Sequence, residues 1–523
     1  MKNLSKIFMA AAVLAASFSS CKKDLNLTPT NDITSEVTYA TAAGYKQVLA
    51  KVYASYATTS GAAVDKSDLG GIDAGTSDFI RLYWNAQELT SDEGLCVWND
   101  PGVYELNYLT FSSENIILRG LYTRSLYQIT VANEFLREST PEKVASRNIS
   151  GTDATNIAAY RAEARFLRAY QYWVLMDLFG NPPFITEENE IGIVSPKQIK
   201  RADLFNYVES ELLAIEPELA TANDYGRATR GAADMLLSRL YLNANVYTGT
   251  AKNTEAITYA SKVIAGGYTL HSAYKNLFLS DNDKGNPETI LSINYDGIST
   301  QNYGGTTFII NASINSDMAP ATFGVPNGGW GGIHASSTLP ALFGTATATD
   351  SRYMFFGTKA SNDDIGTFTD GLRVTKFKNI SQAGITAPSV GGTFSSVDFP
   401  LFRLPEAYLN YAEAVLRGGS GGSTAQAITY FNLLRRRAYN GDAGNVSSLT
   451  LDGILAERGR EFYWEGYRRT DLIRFGKFAD ASYLWPWKGG VVAGRAVAAT
   501  RTIFPLPSAD VIANTNLVQN PGY

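Results

Sequence analysis

The sequence predicts a mainly α protein whose helical array is interrupted by two long irregular stretches, and three observations predict it. Apolar residues recur at helical spacing in segments spread from Tyr45 to Arg474. Gly, Asn, Asp, Ser and Thr break that period between about Gly61 and Ser112 and again between about Gly267 and Pro400. From Leu451 to Lys477, charge is woven through the apolar period: Ile454, Leu455, Phe462 and Tyr463 share their turns with Glu457, Arg458, Glu461, Glu465, Arg468, Asp471 and Arg474. A surface helix would put these two sets on opposite faces. The segment is therefore expected to bury paired ions at a helix-helix corner, with Gly466 closing the first helix and Gly476 the second. A solvated helix carrying i,i+4 pairs is the alternative.

With 523 residues, 45% of them hydrophobic and 18% charged, the chain has ample material for a folded core. A net charge of −5 argues against nucleic acid or anionic lipid as the main partner. Two cysteines and two histidines, His271 and His334, are too few for a Cys/His zinc site or a Cys-His catalytic pair, so both histidines read as structural or surface groups.

In chain order, Lys2 and Lys6 precede an apolar run from Ile7 to Ala16, followed by Ser19-Ser20-Cys21. Residues 1–20 read as a secretory signal peptide, too short to span a membrane, with Cys21 as the lipid-attachment site of a lipobox-like junction. A coincidental cysteine at an ordinary cleavage site is the alternative. With Cys21 modified, Cys96 has no disulfide partner, and residues 21–36 read as a lipidated flexible tether. Helices follow around Tyr45–Tyr56, Asn115–Glu138 and Ala154–Phe179, the last stopped by Gly180 and Pro182-Pro183. Ala233 to Tyr247 and Ile257 to Ile264 flank Gly249, and Pro405–Leu416 pairs with Ala425–Arg437. The 34 residues from Gly231 to Ile264 have the length of a tetratricopeptide-like unit, and such units need neighbours to cover their apolar faces.

The irregular stretches are where a ligand site is expected. Tyr303 and Trp330 stand among glycines, which should leave both faces of each ring uncluttered, and Asp73, Arg81 and Trp98 in the first stretch are of kinds that suit a sugar. Buried rings that pin loops explain the same composition. Asp281-Asn282-Asp283 lacks EF-hand spacing and reads as a solvated acidic turn. No cofactor is expected, a structural Ca²⁺ at that turn being the one alternative left open.

Three segments, Tyr160–Phe184, Arg403–Arg417 and Leu451–Lys477, together resemble the SusD/RagB family of nutrient-binding outer-membrane lipoproteins, and the similarity extends over nearly the whole mature chain. The resemblance implies a SusD-like fold of four tetratricopeptide-like helix pairs with long irregular loop insertions. It divides the chain into an N-terminal helical region at 37–280 and a SusD/RagB C-terminal region at 281–523, packed as one interlocked domain. It implies a protein at the outer membrane, lipid-anchored and facing the cell surface, that delivers glycan to a SusC-like TonB-dependent transporter. Residues matching the family's starch-binding member imply an arc of Trp98, Tyr303 and Trp330 for starch and maltooligosaccharides, with Asp73 and Arg81 bonding hydroxyls. That member has an asparagine where Pro101 stands here, and Asn99 is the expected substitute. The competing readings are a binding lipoprotein for another glycan, a helical scaffold that binds protein, and a glycoside hydrolase, which requires a carboxylate pair flanking one bond.

Overall fold

A computed structural model of the chain describes residues 34–190, 192 and 195–523. The expected signal peptide at 1–20, the expected lipid-attachment site Cys21 and most of the expected 21–36 tether lie outside the described residues. Among the first described residues, the Thr34 side chain caps a short helix, Ser35–Thr38, by accepting the Val37 N–H at 3.4 Å.

Helix α1 (Ala42–Ala57) is followed by α2 (Phe79–Glu88), the strand β1 (Gly94–Cys96), α3 (Ile116–Glu138) and α4 (Gly151–Phe179). Then come α5 (Arg201–Ile215), α6 (Arg230–Leu242), α7 (Asn253–Ala265), β2 (Thr289–Ile293), α8 (Gly305–Ser313) and β3 (Ile333–Ala335). The chain continues with β4 (Phe399–Arg403), α9 (Leu404–Leu416), α10 (Thr424–Ala438), α11 (Leu451–Phe462) and α12 (Arg468–Arg474). Helix starts carry the side chains expected of caps: Thr41, Asp78, Asn115, Thr229, Ser423 and Thr450 each accept a backbone N–H from the first turn that follows.

Helix α4 is the central pillar. Every residue from Phe166 to Phe179 is buried, because α1, α3 and α5 wrap around it; the single stripe expected from Leu167, Tyr170, Val174 and Leu178 widens to the whole circumference. Its ions are paired accordingly, Arg168 with Glu187 and Glu211, and Asp177 with the Tyr247 and Thr470 hydroxyls. From there α6 packs on α7, α7 on α9 and α9 on α10, with Ala232, Ala256 and Ala260 among the buried small residues. The stripe from Ala233 to Tyr247 is not one helix: α6 ends at Leu242, and a separate turn, Ala244–Thr248, carries Tyr247 to the left-handed Gly249. One contiguous apolar core runs from Tyr39 to Leu517.

Both irregular stretches hold a helix the composition did not announce. In the first, Asp78 caps α2, whose residues from Leu82 to Glu88 are all buried; in the second, α8 is buried along its entire length. Both helices are short, 10 and 9 residues, and are flanked by the Gly-, Asp-, Asn- and Ser-rich segments that mark the stretches as irregular, although Arg81, Asn85 and Glu88 of α2 do recur at helical spacing. Two short antiparallel ladders tie these stretches down. β2 and β4 pair from Thr289↔Arg403 to Ile293↔Phe399 and close the base of the long excursion. β1 and β3 pair as Gly94↔Ala335, Leu95↔His334 and Cys96↔Ile333, joining the two irregular stretches to each other.

The corner at α11 and α12 buries its ions as the pattern predicted. Glu457, Glu461, Glu465, Arg468 and Asp471 are each at most 2% exposed. Arg403, at the end of β4, donates to Glu288 at 2.7 Å, Glu461 at 2.9 Å and Glu465 at 2.7 Å. Gly476 takes the left-handed position just past α12, and Gly466 sits within the turn between the two helices together with a left-handed Trp464. The last residues fold back on the body: the Phe504 N–H donates to the Leu178 carbonyl, and the Tyr523 ring stacks on Phe111.

Candidate ligand cleft at the junction of the two irregular stretches

The β1–β3 ladder sets the site. Its register continues through the Val97 N–H, which donates to the Gly332 carbonyl at 2.8 Å, so Trp98 emerges beside Gly331 and Gly332. Gly332 has φ +105°, and a Cβ there would run into the Trp98 indole Nε1. Only glycine both adopts that conformation and lets the ring lie against the backbone. Trp330 is held from beneath, its N–H donating to the Asn311 carbonyl at the C-terminal end of α8 at 2.7 Å.

Asp78 fixes the other side. Besides capping α2, its carboxylate accepts the Gly305 N–H at 2.8 Å and the Asn302 side-chain amide, while Asn302 accepts the Gly304 N–H and donates to the Ala57 carbonyl. Burial pushes the Asp78 carboxyl up, against donors from Arg81, Gly305 and Asn302 that pull it down. This knot clamps the Tyr303 loop onto the N-terminus of α2. Gly75 fills the gap, since a Cβ there would sit 2.8 Å from Tyr303 Cβ and 3.1 Å from Arg81 Nη1. Arg81 and Tyr303 are therefore neighbours.

The structure thus brings Asp73, Arg81, Trp98, Tyr303 and Trp330 to one surface. Asp73, Arg81 and Trp98 line a cleft of about 260 Å³ together with Asn85, Asp100, Pro101 and Phe308. Tyr303 and Trp330 stand beside it, ring centroids 6.5 Å apart and planes 41° from parallel. Tyr303 is 39% exposed, and Trp98 and Trp330 are half-buried. The rings are not uncluttered on both faces as the flanking glycines suggested. Phe394 packs on Tyr303 at 5.1 Å, and Phe308 meets Trp98 edge-on at 6.0 Å, so the protein braces each of these two rings. Asn99 is exposed and lies outside the cleft wall, which takes Asp100 and Pro101 instead.

The Arg81 guanidinium is the chemically conspicuous group. It lies over the Phe308 ring at 4.4 Å and 6.0 Å from Trp98, its Nε is buried with no partner, and its side chain makes no hydrogen bond to any described residue. Burial pushes its pKa down, and Asp73 is foremost among the acids that pull it back up. A cation held this way has donors free for a ligand's oxygens. Asp73 uses one carboxylate oxygen on the Thr76 N–H at 3.0 Å, which leaves the other for a hydroxyl. The sequence reading missed Asp100 and Phe308; Phe308 lies on a nine-residue helix hidden among Gly- and Asn-rich flanks.

Elsewhere the reactive residue types are quiet. Cys96 is buried and free, and burial pushes its thiol up to about 12. His334 is buried in β3, where burial and the nearby Arg373 push it down to about 3, so it is neutral. Asn282 is buried and its amide serves the Leu277 and Asp398 carbonyls, while Asp281 accepts the Gln382 N–H. Among the described residues no group of three or more His, Cys, Asp and Glu is gathered as a metal site, and no helix is long and apolar enough to cross a membrane.

Comparison with known proteins places this architecture. The sequence model of the SusD family matches residues 344–523. The chain is 34% identical, over an alignment 576 positions long, to the Starch-binding protein SusD of Bacteroides thetaiotaomicron, spanning 100% of this chain and 99% of that protein. It is 25% identical to SusD-like protein P2 of Formosa agariphila over 80% of this chain and 83% of that one. Among solved structures, Surface glycan-binding protein A from Bacteroides fluxus superposes with a TM-score of 0.69 at 24% identity, covering 92% of this chain and 100% of that chain. Surface glycan-binding protein A from Bacteroides thetaiotaomicron in complex with laminarihexaose gives 0.68 at 20% identity, with coverage of 91% and 98%. A full-length sequence relationship and a shared mainly helical architecture agree: the chain belongs to the SusD family.

Proposed function

We propose that this protein is a cell-surface glycan-binding lipoprotein that takes up starch and maltooligosaccharides at the cleft around Trp98 and passes them to a SusC-like TonB-dependent transporter. The observation that carries the proposal is the convergence of Arg81, whose guanidinium has no hydrogen-bond partner among the described residues, with Trp98, Tyr303 and Trp330 on one surface. Partly exposed rings offer flat apolar area to the C–H faces of sugars, and Arg81, Asp73 and Asp100 supply donors and acceptors for hydroxyls. The full-length similarity to a starch-binding protein supports α-1,4-glucan as the ligand. Cys21 would carry the lipid that holds the protein at the outer membrane, facing out.

The activity proposed is binding, without catalysis. Incubation with soluble starch should release no reducing sugar, and release abolished by a single carboxylate substitution would replace this reading with hydrolysis. A second reading, a β-glucan ligand, is favoured by one observation: structures of the same fold are described as laminarin-binding and as a laminarihexaose complex. Titration with maltoheptaose and with laminarihexaose separates the two.

A further inference from the structure

Beyond the cleft a second row of rings continues outward. The short helix Val103–Tyr108 begins at the cleft wall, directly after Asp100 and Pro101, and presents Tyr104 and Tyr108 one turn apart. Their ring centroids lie 5.7 Å apart, with planes 39° from parallel, and Trp487 follows at 5.8 Å from Tyr108 and 33°. All three rings are partly exposed. The row is rigidly tied to the cleft. The Tyr104 hydroxyl donates to the Val97 carbonyl at 2.9 Å, one residue before Trp98. Asn107 exchanges hydrogen bonds with both backbone groups of Cys96.

Trp487 does not read as a mere loop anchor. Its backbone is left-handed, φ +69° and ψ −3°, a strained conformation for a bulky side chain. It is retained although the ring remains partly open to solvent. Its indole N–H donates to the Asn362 carbonyl at 2.9 Å, which fixes the ring's orientation, and Gly490, also left-handed, lies against the Tyr108 ring. Strain spent on aiming a partly exposed indole at the end of a row of tyrosines is what a recognition surface requires. The exposed Asp364 adds a polar edge beside Tyr104: a Cβ on Gly366 would lie 3.6 Å from the Tyr104 hydroxyl and 3.7 Å from Asp364 Oδ1.

We propose that Tyr104, Tyr108 and Trp487 form an extension subsite that holds further sugar units of a glucan already seated at Trp98. This inference rests on the glycan-binding reading and adds a length preference to it. Because the row starts where the cleft ends, a short oligosaccharide engages the cleft alone, and a longer chain engages both.

The test is calorimetric titration of the full-length protein, wild type and variant, with maltotriose and with a long maltodextrin. Wild type should bind the long chain about tenfold more tightly than the trisaccharide. Trp487→Ala should bring that ratio to about one, whereas Trp330→Ala should weaken binding of both ligands. Since Trp487 supports its own loop, Tyr108→Leu provides a second variant; Tyr108 makes no side-chain hydrogen bond to a described residue, and leucine keeps apolar contact while removing the flat ring. A wild-type ratio near one, or a ratio that survives both Trp487→Ala and Tyr108→Leu, overturns the extension subsite and leaves the cleft reading intact. Failure of wild type to bind either ligand overturns both.

Discussion

Arg468 and Asp92 form a two-pronged ion pair across 376 residues of chain, with Nε to Oδ1 at 2.7 Å and Nη2 to Oδ2 at 2.9 Å, and both side chains at most 2% exposed. Asp92 stands two residues before β1, the strand that leads to Trp98. The corner and the candidate site are thereby one mechanical unit, reinforced by the Gly466 N–H on Glu88 at 2.7 Å and by Trp84 meeting Trp464 edge-on at 5.2 Å. A buried ion pair of this kind adds little net stability, but loss of one member strands the other.

Removal of either partner should accordingly be severe. Arg468→Ala or Asp92→Ala should lower unfolding free energy by about 3–5 kcal/mol, and the apolar double replacement Arg468→Met with Asp92→Leu should cost less than either single change. Denaturant unfolding of the three variants checks the ordering.

A second consequence concerns pH. Glu88 and Glu93 are fully buried beside the same corner, and Glu88 Oε2 and both Glu93 carboxylate oxygens lack donors. Arg468 Nε stands 3.8 Å from Glu93, and the two carboxyls are buried close enough for each to govern the other's ionisation. Burial pushes Glu88 from 4.5 up to about 7, and Glu93 is also raised, by burial and then by Glu88. A raised carboxyl contributes stability that is full below 4.5 and is lost as pH rises through about 7. Glu461 has the opposite sign. Burial alone would raise it, but Arg437, Arg403 and Arg352 hold it at about 2, so its contribution is present above 4.5 and lost as pH falls towards 2. Glu93→Gln supplies a permanent donor to Glu88. The Tm of this variant relative to wild type should rise between pH 5 and pH 8, because it lacks one raised carboxyl and relieves the other.

Arg81→Met should separate binding from folding. No described hydrogen bond is lost, and the cation on Phe308 is worth about 0.5–2 kcal/mol. Glucan affinity should fall roughly tenfold or more, the loss of one or more hydrogen bonds from a charged donor. Thermal unfolding and titration on the same sample check both halves.

Anchoring is tested in cells. Cys21→Ala should release the protein from the membrane fraction, and fractionation unchanged by that substitution would remove the lipid from the account.

What could be read from the sequence follows burial. Leu451–Lys477 announced its buried ions because charges and apolar residues shared the same turns, and helices with one covered face, such as α7 and α10, showed their period. Helices α2 and α8 were missed because each is short, 10 and 9 residues, and is flanked by the Gly-, Asp-, Asn- and Ser-rich segments that made the stretches look irregular. At the site, the residue types were legible at Asp73, Arg81, Trp98, Tyr303 and Trp330. The braces behind them, Phe308 on Trp98 and Phe394 on Tyr303, and the Asp78–Asn302 knot depend on contacts between residues distant in the chain, which no local pattern encodes. The place of Asp100 rather than Asn99 in the cleft wall depends on the turn at Gly102, whose backbone is left-handed.

The central claim, that the surface formed by Arg81, Trp98, Tyr303 and Trp330 binds α-1,4-glucan, is tested most directly by titrating the protein with maltoheptaose and with laminarihexaose, in wild type and in Trp330→Ala. The account predicts micromolar to millimolar affinity for maltoheptaose alone, about −8 to −4 kcal/mol, and its loss in Trp330→Ala with the fold intact. Binding of laminarihexaose in its place, or maltoheptaose binding indifferent to Trp330→Ala, would contradict it.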